Sequence, residues 1–140
     1  SDASGVGAPP YTIRDNQNSL LDVTDMVFID PVGTGYSRPL GDTTGKEFYG
    51  VNEDAESIAE FIRIWITENG RWNSPKYLAG ESYGTTRAAA LTENLQGGWI
   101  GIGLNGVILI SAILDFQNGR FAPGNDSAHL AFFPSEAAIA

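Results

Sequence analysis

Apolar positions along the chain gather in three short runs and one long periodic stretch. Asp25-Met26-Val27-Phe28-Ile29 is almost continuously apolar after its aspartate, which fits a strand covered on both faces, as in a parallel α/β sheet, better than a one-sided antiparallel strand. Asp30-Pro31-Val32-Gly33-Thr34-Gly35-Tyr36-Ser37 follows as a loop at that strand's carboxyl end, where α/β proteins place ligands. Ile58, Phe61, Ile62, Trp65 and Ile66 then recur at i, i+3, i+4, i+7 and i+8 and predict an amphipathic helix. Glu53, Asp54 and Glu56 crowd its positive N-terminal end, and Gly70 suits its C-terminal cap. With Glu60, most of these carboxylates lie opposite the stripe, and they read as a solvated face rather than an acid/base or metal cluster.

After the turn residues Asn73-Ser74-Pro75, Lys76-Tyr77-Leu78-Ala79 reads as a second strand. The stretch from Thr85 to Leu95, with Ala88, Ala89, Ala90 and Leu91, reads as a second helix, and Gly106-Val107-Ile108-Leu109-Ile110-Ser111 as a third buried strand. The order strand, helix, strand, helix, strand makes two consecutive βαβ crossovers and therefore a parallel sheet. Small residues dominate positions 1 to 10 and Asp15-Asn16-Gln17-Asn18 adds a polar turn, so Asp25 to Ile29 is the first expected core element.

Composition narrows the function classes. The 140 residues amount to one domain or part of one, and a hydrophobic content of 42% is ordinary for a globular chain. A net charge of -9 argues against nucleic acid or an anionic membrane surface as partner, because both would be repelled. The absence of cysteine excludes a disulfide framework, a thiolate metal site and a cysteine nucleophile. No apolar run approaches the roughly 18 residues of a membrane span, and nothing resembles a signal peptide. The chain opens at Ser1 without an initiator methionine, which leaves room for a targeting segment upstream.

The strongest chemical signal is Gly80-Glu81-Ser82-Tyr83-Gly84, between the second strand and the second helix. In a nucleophile elbow the serine sits on a sharp strand-to-helix turn, its Oγ projects to solvent, and the N–H of the next residue, here Tyr83, faces a developing oxyanion. Flanking glycines are expected because a Cβ on either side would clash in so tight a turn. With 17 glycines and 10 serines the bare pattern arises by chance about one time in seven, so its weight comes from the strand before it and the helix after it. The bland alternative is a glycine-rich strand-to-helix loop with a buried or solvated serine.

Other motifs carry less. Gly101-Ile102-Gly103-Leu104-Asn105-Gly106 matches a dinucleotide fingerprint, but it follows a helix and enters a strand, the reverse of what a phosphate site needs. Gly33-Thr34-Gly35 lacks the lysine and spacing of a P-loop. Asn125-Asp126-Ser127 fits a glycosylation sequon, a pattern common by chance.

Taken together, Val27-Phe28-Ile29-Asp30-Pro31-Val32-Gly33-Thr34-Gly35-Tyr36-Ser37 and Gly80-Glu81-Ser82-Tyr83-Gly84 resemble the serine carboxypeptidases, peptidase family S10 of the α/β-hydrolase fold. Asn105 to Phe116 and Gly124-Asn125-Asp126 look like the family's strand after the elbow and the start of its cap insertion, at about residues 115–140. Thr85-Thr86-Arg87 looks more like bacterial relatives.

The resemblance implies an α/β-hydrolase fold fragment with parallel strands, crossover helices and a strand-to-helix elbow. It implies release of C-terminal amino acids from peptides or proteins through an acyl-enzyme at Ser82. The Tyr83 N–H would be half of the oxyanion hole, and Glu81 would be one of the acids holding the substrate's terminal carboxylate. A carboxyl group can hold a carboxylate only by carrying or sharing a proton, so such a site favours acidic pH. No cofactor or metal is called for, and family members commonly work in the periplasm or outside the cell.

The family's Asn-Gly-Gly-Pro-Gly loop is expected upstream of Ser1, and its catalytic Asp and His downstream of Ala140. The 140 residues therefore read as one partial domain, inactive alone, with a gap in its sheet and marginal stability. His129, the only histidine, comes too early after the elbow for the triad order nucleophile, acid, base and reads as a partly exposed loop residue. Alternatives left open are an acyltransferase, esterase or lyase on the same scaffold, and a non-catalytic binding protein that keeps the fold.

Overall fold

A computed structural model describes residues 10, 13, 15–97 and 100–140. The expected features of positions 1 to 9 lie outside the described residues. The elements are helix α1 (Val51–Glu68), strand β1 (Tyr77–Glu81), helix α2 (Tyr83–Gln96), strand β2 (Gly106–Ile110) and helix α3 (Asp126–Ile139), with short 3-10 turns at Gly45–Phe48 and Phe116–Gly119.

The centre is one βαβ unit. β1 and β2 pair in parallel, in register from Tyr77 opposite Gly106 to Glu81 opposite Ile110, and α2 is the crossover between them. Asn105 fixes the start of the ladder, since its N–H donates to the Lys76 carbonyl at 2.7 Å and its Oδ1 accepts from the Lys76 N–H at 2.9 Å. α2 packs on both strands and α1 packs on α2. The core lies in that second seam: Ile58, Ala59 and Ile66 of α1 meet Leu91 and Leu95 of α2 and Ile102 of the following loop, with Ile29, Ile62, Trp65 and Leu78 at the margin.

α1 ends as its sequence requires. Gly70 sits at φ 65°, its N–H donates to the Thr67 carbonyl, and the Arg71 N–H donates to the Ile66 carbonyl at 2.7 Å, which together form a Schellman cap. The buried face runs through Asp54, Ala55, Ile58, Ala59 and Ile66. That centring leaves Phe61 at the edge of the stripe and 41% exposed, so its expected place in the core is not realised.

Two strand expectations change. Residues 25–29 form no strand, and Phe28 is 85% exposed; only Ile29 reaches the core. An apolar run marks a segment able to enter a sheet, but it becomes a strand only when a neighbour supplies ladder partners, and among the described residues β1 pairs with β2 alone. The structure thus has one βαβ unit where the order of runs predicts two. β2 does form, but Val107, Ile108, Leu109 and Ile110 are 39% to 51% exposed rather than buried. α2 covers one of its faces, and no described element covers the other. Among the described residues no helix is long and apolar enough to cross a membrane.

Candidate active site

Ser82 stands between β1 and α2 with φ 53° and ψ −120°, a conformation that L-residues rarely adopt. Three backbone interactions hold it there. Its N–H donates to the Ile110 carbonyl at 2.9 Å, one step past the end of the β1–β2 ladder. Its carbonyl accepts from the Thr85 N–H at 3.0 Å and from the Thr85 Oγ1 at 2.7 Å. The Ser82 hydroxyl takes part in none of this; the residue is exposed and its Oγ has no hydrogen-bond partner among the described residues. Tyr83 opens α2, so its N–H belongs to the first turn, which lacks intrahelical acceptors and carries the positive end of the helix dipole.

The two glycines of the motif differ. A Cβ on buried Gly80 would collide with the Gly84 carbonyl and crowd the Thr85 nitrogen, both backbone groups that cannot turn aside. A Cβ on Gly84 would meet nothing within 4 Å, so the expected clash on that side is absent, because Gly84 already lies on the open face of α2. Glu81, the last residue of β1, is exposed and has no hydrogen-bond or ion-pair partner among the described residues.

The Asp30–Ser37 loop folds around its own aspartate. Asp30 Oδ2 accepts from the Tyr36 N–H at 2.8 Å, and Gly35, at φ 48°, has no room for a Cβ against that carboxylate. The Gly33 N–H donates to the Ser37 carbonyl at 3.1 Å and closes the loop. Pro31, Val32, Gly33 and Thr34 of this loop share a cavity of about 270 Å³ with Phe48, Tyr49, Asp54, Tyr83 and Arg87. The two sequence blocks, far apart in the chain, therefore meet at one hollow, to which the second contributes Tyr83, the residue after Ser82.

Asp54 is a correction. It is 7% exposed, not part of a solvated face, and its Oδ2 accepts from Arg87 Nε at 2.5 Å. The signal was present: Asp54 stands one turn before Ile58 and thus continues the buried stripe, where a carboxylate needs a cation. Arg87 also lies over the Tyr83 ring, its guanidinium carbon 5.3 Å from the centroid. Sequence reasoning also missed Ser111, which directly follows β2 and has φ 52°; it and Ser82 are the two non-glycine residues of positive φ among those described, on neighbouring strand ends.

The remaining motifs stay apart from the elbow. His129 is exposed on α3, not in a loop, and packs edge-on against Phe121 with ring centroids 5.2 Å apart. Among the described elements α3 packs only against the Phe116–Gly119 turn, so no element of the elbow adjoins it. The Asn125 amide donates to the Gln117 and Arg120 carbonyls, both at 2.7 Å, which ties the sequon asparagine, just before α3, to the preceding turn. Gly101 to Gly106 lead into β2 with no helix after them. A second hollow, about 400 Å³, is lined by Leu21, Asp25, Trp65 and Arg71 among others and contains no elbow residue. Among the described residues no cluster of histidine and carboxylate side chains is placed to hold a metal.

A serine held at positive φ between a parallel strand and its crossover helix, with the hydroxyl free, has the backbone geometry of the strand-to-helix turn expected for an α/β-hydrolase fold. The family model for serine carboxypeptidases matches residues 7–121, and the chain belongs to that family. It is 27% identical over 119 residues to serine carboxypeptidase-like 16 of Arabidopsis thaliana, a match that covers 78% of this chain. The chain spans only 26% of that relative's length. No solved structure matches the chain.

Proposed function

We propose that the protein is a serine-type carboxypeptidase in which Ser82 is the nucleophile. Ser82 Oγ forms the bond to the scissile carbonyl carbon while its proton passes to a base. The carbonyl oxygen becomes an oxyanion facing the Tyr83 N–H, and the C–N bond then breaks as the leaving amino acid takes up a proton. Water cleaves the resulting ester and restores the serine. Glu81, next to Ser82, binds the substrate's terminal carboxylate through a shared proton, which sets an acidic working range. His129 is not the base in this reading, since it faces Phe121 on an element that does not adjoin the elbow. In this reading the 140 residues alone, which supply no base, are inactive, and residues from about 115 begin the cap insertion.

The observation that carries the proposal is Ser82 itself, held at φ 53° by backbone bonds while its exposed hydroxyl makes no cap hydrogen bond to α2. The test treats the full-length protein with a fluorophosphonate and assays blocked dipeptides beside small esters. Labelling that disappears in Ser82→Ala, with loss of a C-terminal residue from the dipeptide, is expected. Ester cleavage without peptide cleavage would replace the carboxypeptidase reading by an esterase or acyltransferase. Absence of labelling would leave a binding protein on a hydrolase scaffold.

A further inference from the structure

Three ion pairs are found among the described residues, and the one between Asp54 and Arg87 is the least exposed, with side chains 11% and 25% accessible against 31% or more in the others. It lies at a particular junction. Asp54 belongs to the first turn of α1, and Arg87 stands one turn after Tyr83 on α2, so Tyr83 and Arg87 share a helix face. The guanidinium accordingly has the Asp54 carboxylate against its Nε and the Tyr83 ring 5.3 Å from its carbon. The large apolar side chains of the seam lie further along α2, at Leu91 and Leu95, after the small buried Ala88; the first turn of α2 buries only Thr85. The first turn of α2, which follows the serine and carries the Tyr83 N–H, thus has this charged contact as its ion-pair tie to α1, ahead of the large side chains of the hydrophobic seam.

We propose that Arg87 is a positioning residue for the elbow, which anchors Tyr83 to Asp54 and thereby holds the Tyr83 N–H and Ser82 in reactive register. The inference rests on the reading of Ser82 as nucleophile. A planar guanidinium can pair with a carboxylate along one edge while an aromatic ring covers its face, which a lysine ammonium cannot reproduce. Arg87 and Asp54 also wall the cavity beside the elbow, so a loosened pair would let the cavity wall and the first turn of α2 move together. Small misplacements of reacting groups cost large factors in rate.

The test removes both charges at once in the full-length protein, as Asp54→Leu with Arg87→Met, because replacing both partners of a buried pair by apolar groups preserves folding where removing one does not. Three quantities are read: the melting midpoint, hydrogen exchange of the Ser82 and Thr85 amides against those of Leu91 and Leu95, and the second-order rate of fluorophosphonate reaction at Ser82. The expected result is a midpoint near that of the parent, exchange at Ser82 and Thr85 faster by about tenfold with Leu91 and Leu95 unchanged, and reaction slower by about tenfold or more. On a blocked dipeptide the loss falls on kcat, with KM within about twofold. Arg87→Lys is expected between parent and double variant, and it carries the same comparison if the double variant fails to fold. Exchange and rate both at parental values overturn the inference. So does a slower reaction with unchanged exchange, which would make Arg87 a direct ligand contact, and so does faster exchange with an unchanged rate. If the parent is not labelled at Ser82 the nucleophile reading falls separately, and exchange alone then decides whether the pair anchors the turn.

Discussion

The two glycines of the elbow allow a prediction in which one motif gives opposite results at its two ends. In Gly80→Ala the new methyl group meets the Gly84 carbonyl and the Thr85 nitrogen, the backbone of the turn that holds Ser82. Overpacking a core position costs about 1–3 kcal/mol when neighbouring side chains can shift. Here the obstacle is main chain, so relief requires the turn to open. Opening it sacrifices the Ser82–Ile110 and Thr85–Ser82 backbone bonds, each contributing about 1 kcal/mol. The expected destabilisation is about 3–5 kcal/mol, a large share of the 5–15 kcal/mol that typical domains possess. In Gly84→Ala the methyl group enters open space at the second residue of α2, and the helix gains about 0.5 kcal/mol from the lower backbone entropy of alanine.

Urea unfolding of the full-length parent and both variants, with midpoints and slopes compared, checks this. The two variants should fall on opposite sides of the parent, about 4 kcal/mol apart. Equal midpoints for Gly80→Ala and Gly84→Ala would refute the reasoning, because they would mean that the close approach of Gly80 to Gly84 does not exist in the folded protein.

Three further outcomes are expected. Leu95→Ala, at a side chain with no solvent exposure, should cost about 2–5 kcal/mol by chemical denaturation. Ser82→Gly should abolish fluorophosphonate labelling and yet stabilise the fold by about 1 kcal/mol, since relief of strain of about 1–3 kcal/mol exceeds the added backbone entropy of glycine. Glu60 receives two hydrogen bonds from Arg63, at 2.7 and 2.6 Å, and these hold its carboxyl below the usual carboxylate range. A carboxylate whose folded pKa is depressed contributes stability above its unfolded pKa and loses it as pH falls through the folded one. Any deficit of Glu60→Gln in thermal melts should therefore be present at neutral pH and vanish in acid, and it should be small because the pair is solvent-screened.

What could be read from the chain divides along a physical line. The helix at Val51–Glu68, its Schellman cap at Gly70, the strand before Ser82 and the helix after it depend on residues close in sequence, and those were legible. Burial of Met26 to Phe28 and of Val107 to Ile110 was not, because an apolar run states what a segment can pack against and not whether the neighbour is there. Asp54 shows a different limit. A carboxylate in the first turn of a helix is normally solvated and stabilised by the dipole, and only its partner 33 residues away on α2 explains why this one is buried.

The elbow shows how strain can be kept at a residue whose side chain does nothing to maintain it. Ser82 holds its left-handed φ because its N–H is bound to β2, its carbonyl is bound twice by Thr85, and Gly80 lets the turn close behind it. Each restraint acts on the backbone and comes from a different position. The hydroxyl is therefore left without a structural duty, and chemistry at Oγ can change while the turn remains. The same logic explains why the motif alone is weak evidence: its serine contributes nothing to the fold that selects its conformation. The main chain is fixed instead by the residues around it, Thr85, Ile110 and Gly80, of which the five-residue pattern names only the glycine.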